Sequence, residues 1–354
     1  MTDLIIHIGL PKTGTSTIQS NLFAGLPQFL GKEKKNRCLS GTSREAQELI
    51  RLVEDTIWQP ESVVKSRVKE WSVHCESIIS QAFSNKSEKP EAFILSEEKL
   101  ATWPLDPCPG TRWPIITGWG TQSRNSRIRP APIIRFIQNF GSILWPHGDI
   151  RVLLTLRNQS DWLASHYSQL SSRIPNASQK DFETQINNLM SAEDPFLNWL
   201  AWLEDLEQVL GEYNVQVLPM EDMCKTHFWA RLANFLNIHN TSFDELASPY
   251  MPRMNVRCEN LSEKWKIRNF KVKKSLTQSG LLSDHFSGSK ILTKSIRKTE
   301  GFLIRPILRL TLDHARERSI QMENHIRDKI KKNMASSNLK LSEKLERDLT
   351  TLGY

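Results

Sequence analysis

The chain has 354 residues, of which 39% are apolar and 24% are charged, and its formal net charge is +8. This apolar content can bury a sizeable core, and we expect one α/β domain with helical additions. The positive charge favours an anionic nucleotide, an acidic glycan or an anionic membrane surface as partner. No interleaved run of arginine and aromatic residues is present, so we expect no nucleic-acid partner.

The five cysteines are odd in number, are widely spaced and include no C-x-x-C pair. This pattern excludes a disulfide framework and a zinc site. The sequence enters its first strand without a basic leader or cleavage site, and no apolar run approaches about 20 residues. We therefore expect a soluble, cytoplasmic protein. The basic, apolar segment 302–312 leaves peripheral membrane contact open, although Pro306 and the acidic residues further on favour packing.

The first predicted element is a strand over residues 3 to 9 that runs into a turn rich in glycine and hydroxyl side chains. Gly9 and Gly14 let the backbone approach a ligand closely. The helix that follows opens with amides that have no partner within a helix. The hydroxyl side chains of this turn are those of Thr13, Thr15, Ser16 and Thr17. The sequence predicts a cradle for phosphate or sulfate.

The same segment has the length and the two glycines of the nucleotide-triphosphate loop G-x-x-x-x-G-K-[ST]. Thr15 stands where that loop has its lysine, and the cation lies inside the turn as Lys12. This shift weakens the interpretation as a magnesium-triphosphate site.

A short predicted strand at residues 92 to 95 leads into Ser96, Glu97 and Glu98. Open α/β sheets bind ligands at the carboxyl ends of their strands, and a glutamate there can serve as a general base. The alternative is an acidic helix N-terminus that complements the helix dipole. The next segment, 103–132, is rich in proline, glycine, tryptophan and arginine. It suits a lid over a sugar-like or anionic acceptor, or an insertion without such a role.

A second strand, turn and helix begins at residue 150. The apolar run 150–156 predicts a buried parallel strand, from which Arg157 emerges. Asn158 or Ser160 can cap the following helix, and Ser165 lies two turns into it.

Further along the chain, residues 196–210 predict a helix with one buried face, and residues 215–218 predict another strand. Glu221 and Asp222 are then expected to be structural acids that cap the next helix. Arg253 and Arg257 belong to a basic turn before the next helix, and a solvated turn is one interpretation of it.

The segment P-K-T-G-T-S-T at 11–17 resembles the 5′-phosphosulfate loop of sulfotransferases that use 3′-phosphoadenosine 5′-phosphosulfate (PAPS), in particular bacterial, carbohydrate-type members. The spacing of Arg157 and Ser165 resembles the motif with which that family holds the 3′-phosphate. Gln159 stands where the family usually has proline. The family's S-x-E segment falls on Ser96 to Glu98.

The resemblance implies donor binding by Lys12 and residues 13–17, by Arg157 and Ser165, and by Arg253 or Arg257. It implies that Lys12 is catalytic and that Glu98 is the base, with Glu97 able to raise its pKa. The donor leaves as 3′,5′-ADP and no metal is required. The acceptor is expected to be a hydroxyl of a glycan or glycolipid.

The expected fold is a three-layer α/β/α arrangement around a mostly parallel sheet, similar to P-loop NTPases, with helical C-terminal additions. We expect a catalytic domain at 1–258 and a helical extension at 259–354 packed on the same domain. A nucleotide kinase or NTPase and a non-catalytic nucleotide- or glycan-binding protein remain alternatives. The oligomeric state is open.

Overall fold

The computed structural model describes residues 3–9, 12–23, 38–40, 92–96, 148–174, 177–190, 197–237, 264–268 and 319–354, together with residue 48 and ten helical positions between 62 and 77. The predicted base Glu98, its neighbour Glu97, the segment 103–132, Arg253 and Arg257 lie outside the described residues.

The centre of the structure is a five-stranded sheet in which every neighbouring pair of strands is parallel. The strands are β1 (Asp3–Gly9), β2 (Cys38–Ser40), β3 (Ala92–Ser96), β4 (Ile150–Leu156) and β5 (Val215–Pro219). Their order is β2-β3-β1-β4-β5, which places β1 in the middle. The four strands predicted from apolar runs are confirmed. The edge strand β2 was not predicted, because three residues are too few to show a periodic pattern.

Alternate residues of β1 enter two different hydrophobic cores. Ile6 and Ile8 belong to one core, while Ile5 belongs to the other. The same alternation separates Leu154 from Leu153 on β4. Because successive side chains of a strand point to opposite faces, both faces of the sheet are covered. The predicted three-layer α/β/α fold is confirmed.

Six helices of the described residues contribute to these cores. They are α1 (Thr15–Thr17), which continues as the π-helical Ile18–Phe23, α2 (Gln159–Leu170), α3 (Gln179–Met190), α4 (Trp199–Leu210), α5 (Thr226–Phe235) and α6 (Asn324–Lys344). Helices α2, α3, α4 and α6 contribute to the core on one face, and α5 and the π-helical turn contribute to the core on the other. None of the described helices is long and apolar enough to cross a membrane.

The sequence explains why α4 packs against the sheet. Trp199, Trp202, Leu203 and Leu206 are buried and recur at spacings of three and four residues, so they form one stripe along the helix. The Asn198 side chain accepts a hydrogen bond from the Ala201 backbone amide at 3.2 Å and caps the helix.

The segment beyond residue 318 joins the same core as the sheet. Strand β6 (Lys264–Lys266) pairs antiparallel with β7 (Ser319–Gln321), and α6 follows. Ile330 and Leu341 of α6 are buried in the core that also contains Ile6 of β1. Apolar packing therefore holds this segment against the sheet, and the hydrogen bonds of the β6–β7 pair set its direction.

Candidate anion-binding site

The two predicted loops meet at the carboxyl ends of β1 and β4. These strands are neighbours in the sheet, and Gly9 is in register with Thr155. Parallel strands end at the same edge, which is where open α/β sheets bind ligands. The register therefore places the turn after β1 beside the turn after β4.

Gly9 lies where the two turns touch. A Cβ atom at this position would lie 2.2 Å from Thr155 Oγ1 and 2.3 Å from Thr15 Cγ2. The Thr13 and Thr155 hydroxyls are 2.9 Å apart and hydrogen bonded, and both residues are fully buried. Only glycine fits here, because any side chain would push the two turns apart.

The turn after β1 contains two residues with left-handed backbone conformation. Gly14 has φ of 80°, and Lys12 has φ of 75° although it is not a glycine. Such a conformation is uncommon for a side-chain-bearing residue and is typical of functional turns. The Gly14 carbonyl accepts the Thr17 amide at 2.9 Å and the Ile18 amide at 3.2 Å, so the helical segment starts directly after this turn.

Arg157 contacts the first loop directly. Its Nη1 donates to the Lys12 carbonyl oxygen at 3.3 Å, and its own carbonyl accepts from Trp199 Nε1 at 3.1 Å. The structure thus brings two cationic residues, Lys12 and Arg157, together at one edge of the sheet. Both are partly exposed.

Ser16 lies in the first helical turn after β1, and Ser165 lies in the second turn of α2. Both residues are partly exposed. Among the described residues, no hydrogen bond joins Ser165 to Arg157. The structure therefore brings together the first loop, Thr155 and Arg157, and it places Ser165 on the helix that follows them. The side chain of Asn158 caps that helix, because it accepts a hydrogen bond from the Asp161 amide at 3.2 Å. Asn158 was one of the two predicted caps.

Glu221 supports the turn that carries Arg157. One carboxyl oxygen accepts the Asn158 backbone amide at 2.7 Å, and the other accepts the Tyr354 hydroxyl at 3.2 Å. Burial raises the pKa of Glu221 to about 7, although the Asn158 hydrogen bond and the positive charge of Arg157 oppose the rise. The Glu221 carboxyl group therefore keeps its proton to a higher pH than an exposed glutamate does.

Asp222, the next residue, is buried and ionised. Burial acts to raise its pKa, but hydrogen bonds from Arg347, Lys225 and His227 outweigh this and hold the pKa well below its usual range. Arg347 donates to both carboxyl oxygens at 2.9 Å. The predicted capping role of these acids is wrong, because α5 begins after Lys225 with no side-chain cap. Asp222 instead binds the segment after α6.

His7 is a polar residue inside the apolar strand β1. Its Nδ1 lies 2.7 Å from Ser96 Oγ, and the Ser96 hydroxyl also accepts from Gln19 Nε2 at 2.8 Å. Burial lowers the pKa of His7 to about 3, so the ring is neutral. Its Nε2 is buried and has no hydrogen-bond partner among the described residues. His7 thus links the first loop's strand to β3 and to the helical segment after the loop.

Sequence patterns did not reveal Thr155, His7, Glu221 and Tyr354 as members or supports of this site. The signal for Thr155 and His7 was a polar residue between two apolar neighbours in a strand. No local signal marks Tyr354, because its partner Glu221 is 133 residues away.

The fold is similar to the solved structure of a sulfotransferase from Alicyclobacillus acidocaldarius. The match covers 100% of this chain and 99% of that chain, with 13% sequence identity and a TM-score of 0.44. No protein-family model matches the chain, and no curated protein sequence matches it. Because the TM-score lies below 0.5, the assignment of a function depends on the residues of the two loops.

Proposed function

We propose that the protein is a sulfotransferase that transfers the sulfuryl group of PAPS to an acceptor hydroxyl. The observation that carries this proposal is the 3.3 Å hydrogen bond from Arg157 Nη1 to the Lys12 carbonyl, which joins two cationic loops. PAPS carries anionic groups at both its 5′ and 3′ positions, so it suits two neighbouring cations. ATP is anionic at its 5′ end alone, and Thr15 replaces the lysine that a triphosphate loop requires.

In this proposal the first loop binds the 5′-phosphosulfate. Lys12 and the amides and hydroxyls of residues 13–17 surround the start of the helical segment, where anions are favoured. Arg157 and Ser165 bind the 3′-phosphate. Arg253 or Arg257 contacts the adenosine and the 3′-phosphate. The neutral His7 behind the first loop adds no competing positive charge to this site.

The transfer is an in-line displacement. The acceptor oxygen forms a bond to sulfur while the bond between sulfur and the bridging oxygen breaks, and 3′,5′-ADP leaves. Lys12 stabilises the negative charge that builds on the bridging oxygen. The acceptor hydroxyl gives its proton to Glu98, which follows the last residue of β3 by two positions. By analogy with phosphoryl transfer, the protein mainly positions the reactants and neutralises charge.

The acceptor in this proposal is a hydroxyl of a glycan or glycolipid. The net charge of +8 favours an anionic acceptor, and the tryptophan-rich segment 103–132 suits a sugar ring. Screening of glycans and glycolipids with labelled PAPS identifies the class by transfer of label to the acceptor.

The proposal is tested by calorimetric titration of the protein with 3′,5′-ADP and, separately, with magnesium-ATP. We expect binding of 3′,5′-ADP without metal and much weaker binding of ATP. A preference for ATP would favour a nucleotide kinase or NTPase. Binding of 3′,5′-ADP without transfer to any acceptor would favour a non-catalytic binding protein.

A further inference from the structure

Tyr354 lies against the candidate donor site although it is far from it in sequence. Its side chain is buried, with 7% of the residue exposed, and its hydroxyl donates to Glu221. Glu221 in turn accepts the backbone amide of Asn158, the residue after Arg157. Two hydrogen bonds thus connect Tyr354 to the turn that carries the proposed 3′-phosphate ligand.

The segment that presents Tyr354 is fixed in two further ways. Arg347 makes two hydrogen bonds to Asp222, the neighbour of Glu221, both at 2.9 Å. Gly353 has φ of 89°, and a Cβ there would lie 3.0 Å from Asn158 Nδ2, so the backbone of residue 353 lies directly on the same turn. The position of Tyr354 is therefore fixed by the contacts of the neighbouring backbone as well as by burial of its ring.

The titratable and charged groups around Glu221 come from three places. Arg157 lies on the turn after β4 and acts through its charge, and Tyr354 lies on the segment after α6 and acts through its hydroxyl. Asp222 is adjacent in sequence. Asp222 is itself paired with the positive charges of Arg347 and Lys225 and contacts His227. Arg157 is therefore the cation whose charge acts most directly on the Glu221 carboxyl group.

We infer that Glu221 and Tyr354 are positioning residues of the donor site, which hold the turn at Arg157 and Asn158 so that Arg157 faces the 3′-phosphate. This inference rests on the proposed function. Glu221 fixes the Asn158 amide, and Tyr354 fixes the Glu221 carboxyl group. Neither residue needs to touch the donor, since both act through the backbone of the turn and through the charge of Arg157.

The first test is Tyr354→Phe, which removes the hydroxyl and keeps the ring. We expect calorimetry to show about threefold to tenfold weaker binding of 3′,5′-ADP, the effect of one hydrogen bond, with unchanged binding of 5′-AMP. Tyr213→Phe is the matched control, because Tyr213 is 97% exposed. Equal losses for both nucleotides, or no loss for either, would overturn the inference.

The second test is Glu221→Gln, which keeps an oxygen acceptor but does not titrate. The ionised carboxylate competes with the 3′-phosphate for Arg157, so the wild-type protein should lose affinity for 3′,5′-ADP relative to the variant as pH rises from about 6 to 8. We expect the ratio of the two dissociation constants to change about fivefold. The ligand phosphate is the same in both titrations and cancels in the ratio. A constant ratio would overturn the inference.

Glu204→Gln, an exposed change on α4, is the control for the loss of an acid. Thermal unfolding of each variant shows whether it is folded at the temperature of titration. If the wild-type protein fails to bind 3′,5′-ADP, both the proposed function and this inference fall. If it binds and both variants behave like their controls, the inference alone falls.

Discussion

The turns after β1 and β4 share one architecture but are supported by different physical interactions. The first is held by close contact of neutral groups: Gly9 against Thr155, and the neutral His7 against Ser96. The second is held by charged and titrating groups, with Glu221 on the Asn158 amide. The first turn therefore depends on close packing and on a buried neutral histidine, whereas the second depends on a buried acid.

Removing the cation of the first loop should have the largest effect. In Lys12→Ala the sulfuryl transfer rate should fall about 10³-fold, because a charge that stabilises the leaving oxygen is lost. Binding of 3′,5′-ADP should weaken only modestly, since that product lacks the sulfuryl group. A rate assay with labelled PAPS and a calorimetric titration measure the two effects. Matching losses in rate and in product affinity would contradict the assignment of Lys12 to the reacting end.

The fit of the first turn can be broken by a single methyl group. Gly9→Ala should lower the free energy of unfolding by about 3 kcal/mol, because the Cβ overlaps two threonine side chains that are buried. Gly211→Ala is the control: its φ is 84°, but a Cβ there has nothing within 4 Å. We expect a loss of about 1 kcal/mol from backbone strain alone. Urea denaturation measures both, and equal losses would contradict the overlap at Gly9.

The two turns should also respond to pH with opposite signs. The pKa of His7 is about 3 in the folded chain and 6.5 unfolded, so its contribution is present above pH 6.5 and is lost on acidification. The pKa of Glu221 is about 7 folded and 4.5 unfolded, so its contribution is present below pH 4.5 and is lost as pH rises through 7. Between pH 7 and 5 each changes stability by about 2 kcal/mol, and the two nearly cancel in the wild-type protein.

Single variants separate the contributions of His7 and Glu221 to the pH dependence of stability. From pH 7 to 5, His7→Asn should gain about 2 kcal/mol of stability, and Glu221→Gln should lose about 2 kcal/mol. His325→Asn and Glu204→Gln, changes of the same kind at exposed positions, are the matched controls. Denaturation curves at several pH values provide the measurement. If the free energy of unfolding changes with pH in the same direction in both variants, the two turns do not respond to pH with opposite signs.

The parts of the fold and site that sequence could predict were local. Apolar runs revealed β1, β3, β4 and β5, and the glycine and hydroxyl pattern after residue 9 located the first turn. The parts that could not be predicted depend on distant partners. The acids at 221 and 222 were assigned to the next helix. Asp222 does contact Lys225 and His227, but Glu221 binds Asn158, and Tyr354 and Arg347 bind these acids from more than 120 residues along the chain.

The three-residue strand β2 has too little pattern to be recognised. His7 was not recognised for another reason. A lone histidine in an apolar strand does not indicate which residue it contacts, and here that residue is Ser96. The roles assigned to Glu98, Arg253 and Arg257 stay predictions from the sequence, as do the binding roles of Lys12, Arg157 and Ser165.

The central claim is that Lys12 and Arg157 bind opposite ends of one donor, and Arg157→Ala tests it most directly. The account predicts that binding of 3′,5′-ADP weakens by roughly 1.5 to 3 kcal/mol, the scale of a hydrogen bond to a charged group, with little change for 5′-AMP. The exposed Arg67→Ala serves as control. Calorimetric titration of both nucleotides decides the matter: selective loss of 3′,5′-ADP supports the claim, and equal losses for the two nucleotides would contradict it.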